Sequence, residues 1–236
     1  MHIESKFLQI GSLQQLVNQL ITGSNLDQLK HSNQPIRSPS ERTSPNFEAD
    51  PDDDTPKDES MAVFYLELLV RITIQNKDRV GDIWNIVMDH IKQLVNVAAE
   101  YVTYEGKSFL LERTVNGLLK MAVRLARKED LASMVVQQSL SILLNLKKNS
   151  QALPYVARHI SYGLHELLRN NAANIHKTED WNVIFSLMEM IGGVEPSKVS
   201  TYIVEYSIFY KIFLGKSTSH FFENMCHKFS KKLFNI

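Results

Sequence analysis

The densest group of chemistry-bearing side chains lies between His165 and Trp181, in HELLRNNAANIHKTEDW, where His165, His176, Glu179 and Asp180 have the donor types of a metal site or a proton relay. Zinc held by one helix wants two histidines a turn apart, so that both rings leave the same face. The spacing of His165 and His176 does not provide that. A structural reading accounts for more of the residues. Asn170, Asn171 and Asn174 suit a helix C-terminus, because a short amide side chain tolerates the left-handed backbone conformation. Thr178 then suits an N-cap, Glu179 and Asp180 the first turn beside the positive end of the dipole, and Trp181 the entry of the next helix into a core. The expectation is a corner between helices, with no metal bound.

A related pattern stands earlier, in NKDRVGDIWNIV, which like HKTEDWNVIF runs from polar residues into Trp-Asn and then into apolar residues. Asp78 suits a cap there, Arg79 can brace a neighbouring carboxylate, and Trp84 takes the place that Trp181 has in the second corner. The remaining charged feature is SFLLERTVNGLLKMAVRLARKED. At 3.6 residues per turn Arg113, Lys120, Arg124 and Arg127 share one side of a helix with Lys128 flanking them, and leucines and alanines supply the apolar side. Such a stripe can lie against anionic lipid, or it can be the ordinary solvated face of a helix.

Catalytic signatures are missing from the sequence: no phosphate-binding glycine loop, Gly-x-Ser-x-Gly, Cys-x-x-Cys or His-Glu-x-x-His occurs. DPDDD at 50–54 has neither the spaced ligands nor the mid-loop glycine of a calcium loop. No cofactor is expected. The 236 residues carry 26 Lys+Arg against 26 Asp+Glu, and a formal charge of zero argues against a nucleic-acid partner. One cysteine, Cys226, permits no intrachain disulfide and fits a reducing compartment. The start has no signal-peptide pattern, so a cytoplasmic chain, free or peripheral to a membrane, is expected.

These residues are carried by elements that read as helical almost throughout. A first amphipathic helix of a solenoid is predicted within 1–21. Residues 22–60 hold five of the seven prolines and few large apolar residues, the composition of a long disordered loop. Ser38, Ser44 and Thr55 each precede a proline in it and are candidates for phosphorylation. From 61 to 198 apolar residues recur at helical spacing: MAVFYLELLVRITIQ is apolar nearly all round, as a helix buried on several sides reads, and further helices are predicted near 83–102, 107–127, 129–146, 151–170 and 179–191. Leu-Leu-centred helices recur at ELLVRI, GLLKMA, ILLNLK and ELLRNN, so the fold class expected is all-α, a HEAT- or armadillo-like α-solenoid, ahead of a closed bundle.

Three pieces carry a family resemblance: ESKFLQIGSLQQLV, FYLELLVRITIQNKDRVGDIWNIVMDHI and ISYGLHELLRNNAANIHKTEDWNVIFSLMEMIGG. They resemble the helical region downstream of the catalytic domain in the large Arf guanine-nucleotide exchange factors of the Golgi brefeldin-A-resistance (GBF/Gea) type. The resemblance implies a regulatory and membrane-recruitment scaffold, peripheral on cis-Golgi membranes. Its implied partners are anionic Golgi lipid, the other domains of the parent exchange factor and Arf-pathway proteins. It also implies that the catalytic domain is absent from this chain and that the chain alone is no enzyme. Beyond Lys198 the resemblance stops. Lys198-Val199-Ser200 can be encoded by a splice-donor consensus, so 199–236 is expected to be translated intron. The alternative is a helical-repeat adaptor that binds partner helices and no lipid.

Overall fold

The computed structural model describes residues 5–24, 57–149 and 151–192, and among them every regular element is helical. The longer helices are α1 (Ile10–Gly23), α2 (Lys57–Gln75), α3 (Trp84–Glu105), α4 (Phe109–Leu125), α5 (Glu129–Leu144), α6 (Ala152–Asn171) and α7 (Thr178–Gly192), with 3-10 turns at Ser5–Phe7, Lys77–Asp82, Asn145–Lys148 and Ala172–Asn174. The predicted phosphorylation sites Ser38, Ser44 and Thr55, and the tail 199–236, lie outside the described residues. The chain divides into two compact units, Met1–Thr114 and Val115–Ile236, with the division falling inside α4.

In the first unit α1 turns Leu13, Val17 and Leu20 inward at three- and four-residue spacing, which makes an amphipathic segment a packing helix. Near its start Gln14 Nε2 donates to the Asp82 carbonyl at 3.1 Å, and at its end Ser24 Oγ lies 3.3 Å from His90 Nε2. The two contacts advance together, so α1 and α3 run parallel. α2 runs the other way: its end meets Ser5, and Tyr65, midway along it, lies against the end of α1, 2.6 Å from where a Cβ on Gly23 would stand. Leu66, Leu69, Ile72, Ile83, Trp84, Ile91 and Leu94 are fully buried. Each such side chain stabilises by roughly 1.5–3 kcal/mol. Gly106, at φ 75°, ends α3 in the left-handed conformation that glycine adopts without steric cost.

In the second unit α4 and α6 lie side by side. A Cβ on Gly163 would meet Leu119 Cβ at 2.8 Å, so glycine is what permits this approach. Further along, Asn171 and Asn174 of the corner after α6 reach the carbonyls of Val123 and Ala126. The contacts again advance together, so α4 and α6 are parallel. Leu118, Met121, Leu125, Val135, Leu140, Leu143, Ile160, Leu167, Ile184 and Leu187 form the core. Asn149 caps α6, its Oδ1 accepting from the N–H groups of Gln151 (3.0 Å) and Ala152 (2.8 Å).

The predicted helices of 107–191 are present with ends shifted by one or two residues. Two expectations need correction. The bounds expected for the loop are too wide, because Thr22 and Gly23 belong to α1 and 57–60 to α2, while 25–56 lie outside the described residues. α2, apolar nearly all round, is not buried all round: Met61 and Phe64 are 54% and 56% exposed.

Candidate functional site

The charged stripe of α4 separates into parts with different surroundings. In the second unit Lys120, Arg124 and Arg127 are exposed, while Leu118, Met121, Ala122 and Leu125 on the opposite side are buried. Among the described residues no carboxylate lies within ion-pair distance of these three cations. Lys128 is half-buried at the N-cap position of α5. In the first unit Arg113 is engaged: its guanidinium is 3.6 Å from Glu67 and lies over the Phe109 ring, 4.7 Å from its centroid. The stripe thus offers Lys120, Arg124 and Arg127, without a carboxylate partner among the described residues, in and just past the last turns of α4, where positive charge also complements the helix dipole.

That end is held by the corner 171–181, in a manner the sequence does not announce. The last carbonyls of a helix lack intrahelical donors. Asn171 Nδ2 donates to the Val123 carbonyl at 3.1 Å, and Asn174 Nδ2 to those of Ala126 (3.0 Å) and Arg127 (3.2 Å). Asn171 is 1% exposed and its φ of −135° is not left-handed. The asparagines therefore serve the C-terminus of α4 through their amides, and the expectation of a left-handed C-cap is corrected for Asn171. Asn170 Nδ2 bonds back to the Glu166 carbonyl at 2.7 Å.

The supposed metal donors are dispersed among other tasks. His165 Nδ1 is 3.6 Å from Glu166, and His176 Nε2 is 3.0 Å from Glu129 on the surface. Asp180 is 1% exposed, and its Oδ1 accepts from Ser133 Oγ (3.1 Å) and Gln137 Nε2 (2.9 Å) of α5. Among the described residues no three His, Cys, Asp or Glu side chains stand together as metal ligands. Thr178 is not the N-cap: the N–H groups of Asp180 and Trp181 bond to the Lys177 carbonyl, at 3.2 and 3.4 Å, so Lys177 holds that position. Trp181 Nε1 donates to the Ile175 carbonyl at 3.0 Å.

The first corner works on the same principle. Arg79 Nη2 donates to the Ser5 carbonyl at 2.8 Å and Nη1 to that of Leu8, while Nε and Nη2 share Asn76 Oδ1 at 3.1 and 2.9 Å. Asn76 Nδ2 donates to Ser5 Oγ and the Ile72 carbonyl, both at 2.8 Å. Arg79 thus holds backbone carbonyls where bracing of a carboxylate was expected. Asp78 lies in the first turn of the 3-10 segment, and the N-cap positions belong to Asn76 and, for α3, Ile83. Trp84 is 1% exposed with its Nε1 unbonded among the described residues.

Two residues of consequence escaped the sequence reading. Glu59, expected in the loop, is 3% exposed and accepts from Ser108 Oγ (2.8 Å), the Phe109 N–H (3.1 Å) and the Leu110 N–H (3.4 Å). It places a carboxylate on the N-terminus of α4, where the dipole is positive. His90 is buried against Ser24, and burial lowers its pKa from 6.5 to about 4. No local pattern marks either, because their partners lie 49 to 66 residues away.

No family profile matches the chain, and no solved structure matches it. Curated relatives do. The chain is 42% identical over 137 residues, 58% of its length, to the Golgi-specific brefeldin A-resistance guanine nucleotide exchange factor 1 homolog of Caenorhabditis elegans. It is 30% identical over 187 and 188 residues, 79% of its length in each case, to the ARF guanine-nucleotide exchange factors GNL1 and GNOM of Arabidopsis thaliana. The matches span only 7, 10 and 11% of those three proteins. The chain is therefore related, over a segment of their length, to the Golgi brefeldin-A-resistance type of Arf guanine-nucleotide exchange factors.

Proposed function

We propose that this chain is a regulatory and membrane-recruitment scaffold, a helical-repeat region from downstream of the catalytic domain of an Arf exchange factor, acting at cis-Golgi membranes in vesicle traffic. The observation that carries the membrane part is the set of Lys120, Arg124 and Arg127, exposed together and without a carboxylate partner among the described residues. Cations near an anionic bilayer each add on the order of 1 kcal/mol, so three suffice for weak, reversible attachment. No described helix is long and apolar enough to cross a membrane, and peripheral contact requires none. The parallel pairing of alternate helices in each unit supports the repeat reading, since stacked helical pairs bring like-directed helices side by side.

The chain by itself has no exchange activity in this reading, and its partners are anionic Golgi lipid, the remaining domains of the parent and Arf-pathway proteins. Flotation with vesicles containing phosphatidylserine tests recruitment. The chain floats with them, and K120E/R124E/R127E does not; equal flotation of both would overturn the reading. Nucleotide release from Arf, followed by fluorescence, should be unchanged by the isolated chain. The adaptor alternative is favoured by the exposed Met61 and Phe64 on α2, an apolar pair suited to a partner helix. It gains ground if no vesicle composition floats the chain.

A further inference from the structure

The second unit places a second helix beside the basic one. α4 and α6 are parallel and touch at Leu119 and Gly163. With about 100° of rotation per residue, the exposed residues of α4 centre about 100° to one side of Leu119. Those of α6 centre about 100° to the other side of Gly163. For parallel neighbours, opposite offsets from the contact line turn both exposed faces in the same direction. The side of α6 turned this way carries Arg158, Tyr162 and Arg169; counted from the Leu119–Gly163 contact, Arg169 comes level with the stretch from Lys120 to Arg127, Tyr162 stands about 3 Å before Lys120 and Arg158 about 9 Å before it. Tyr162 is 53% exposed, the one large hydrophobic side chain so exposed among the described residues of this unit. The acid within this face, Glu166, has Arg169 at 4.0 Å and His165 at 3.6 Å.

We infer that the anionic bilayer is met by α4 and α6 together, with Arg158 and Arg169 supplying the second row of cations and Tyr162 seated at the interface between them. The inference rests on the membrane reading above and extends it to a helix that the charge pattern does not single out. Two helices at 8–10 Å between axes present a flat, two-row surface rather than a groove, which suits a bilayer better than a peptide. A tyrosine in such a surface puts its ring at the boundary between headgroups and acyl chains and its hydroxyl in the polar layer.

The test uses the full chain and vesicles of phosphatidylcholine with and without phosphatidylserine. At about five-fold per cation, R158Q/R169Q should weaken binding to the anionic vesicles by roughly 25-fold, comparably to K120Q/R124Q. Circular dichroism of each variant establishes that the helices persist. Y162W should add fluorescence that shifts to the blue on anionic vesicles and is quenched by brominated acyl chains. Wild-type binding that K120Q/R124Q abolishes but R158Q/R169Q leaves intact, with no quenching in Y162W, overturns this inference and leaves the membrane reading standing. Failure of the wild-type chain to bind anionic vesicles overturns both. Binding of Y162W without quenching, competed away by an acidic peptide, points to a protein partner and also overturns it.

Discussion

The two Trp-Asn corners look alike in sequence and solve the same physical problem with different chemistry. Each must satisfy carbonyls left over at the end of another segment. In the first, Arg79 spreads one guanidinium over the Ser5 and Leu8 carbonyls and is held by Asn76. In the second, two neutral amides, Asn171 and Asn174, serve the last carbonyls of α4. A charged donor bonds more strongly but concentrates the burden on one side chain. Two amides share it. Similar corner sequences thus define a place for a clamp without defining which residue clamps.

The largest effect should come from the concentrated clamp. Arg79→Ala strips charge-assisted bonds from two carbonyls and from Asn76, and should cost about 4 kcal/mol. In denaturant melts it should leave α1 exchanging its amides early; a loss below 1 kcal/mol would mean the guanidinium is dispensable.

Acid should separate the units next. The pKa of His90 falls from 6.5 in the unfolded chain to about 4 in the fold, so the unfolded state binds more protons between those values. The contribution is complete above pH 6.5 and is lost as pH falls to about 4, where the loss reaches about 3 kcal/mol. Trp84 lies in the first unit and Trp181 in the second, so W181F and W84F report the units separately. Acidification from pH 7 to pH 4 should lower the unfolding midpoint seen by Trp84 more than that seen by Trp181. His90→Gln should remove most of the difference.

Dividing the second clamp should be milder. Asn171→Ala and Asn174→Ala should each cost about 1–2 kcal/mol, with Asn171 the costlier because it is itself buried whereas Asn174 is half-buried. If the double variant loses no more than either single one, the two amides do not act independently.

The tryptophans give the finest contrast. The indole N–H of Trp181 is bonded to the Ile175 carbonyl, whereas that of Trp84 is not bonded among the described residues. Phenylalanine at both positions removes similar volume, so W181F should exceed W84F in cost by about 1 kcal/mol, the net worth of one hydrogen bond. Equal costs would place the value of both residues in packing alone.

Much of this was legible from local pattern. The 3.6-residue apolar spacing located α3 to α7 to within a few residues, because helix formation depends on neighbours within a turn or two. Glu59 stands in a polar run with no apolar period, which reads as loop, although its carboxylate is buried on the α4 N-terminus. Spacing groups Arg113 with Lys120, Arg124 and Arg127 because it cannot reveal Glu67, the partner of Arg113 on another helix. Local pattern places the asparagines at their own helix end, whereas Asn171 and Asn174 serve carbonyls 47 or 48 residues back along the chain.

By itself, the sequence determined the helical class, the limits of α3 to α7 to within a few residues, the family relationship and the row of cations on α4, all properties of side chains within a few turns or of extended identity. Only the tertiary structure decided which donor caps which carbonyl, which cations remain without a carboxylate, and that α6 turns Arg158, Tyr162 and Arg169 to the same side as that row. The reason is physical: hydrogen bonds and ion pairs form between whatever groups packing brings within about 3–4 Å, and distance along the chain does not enter.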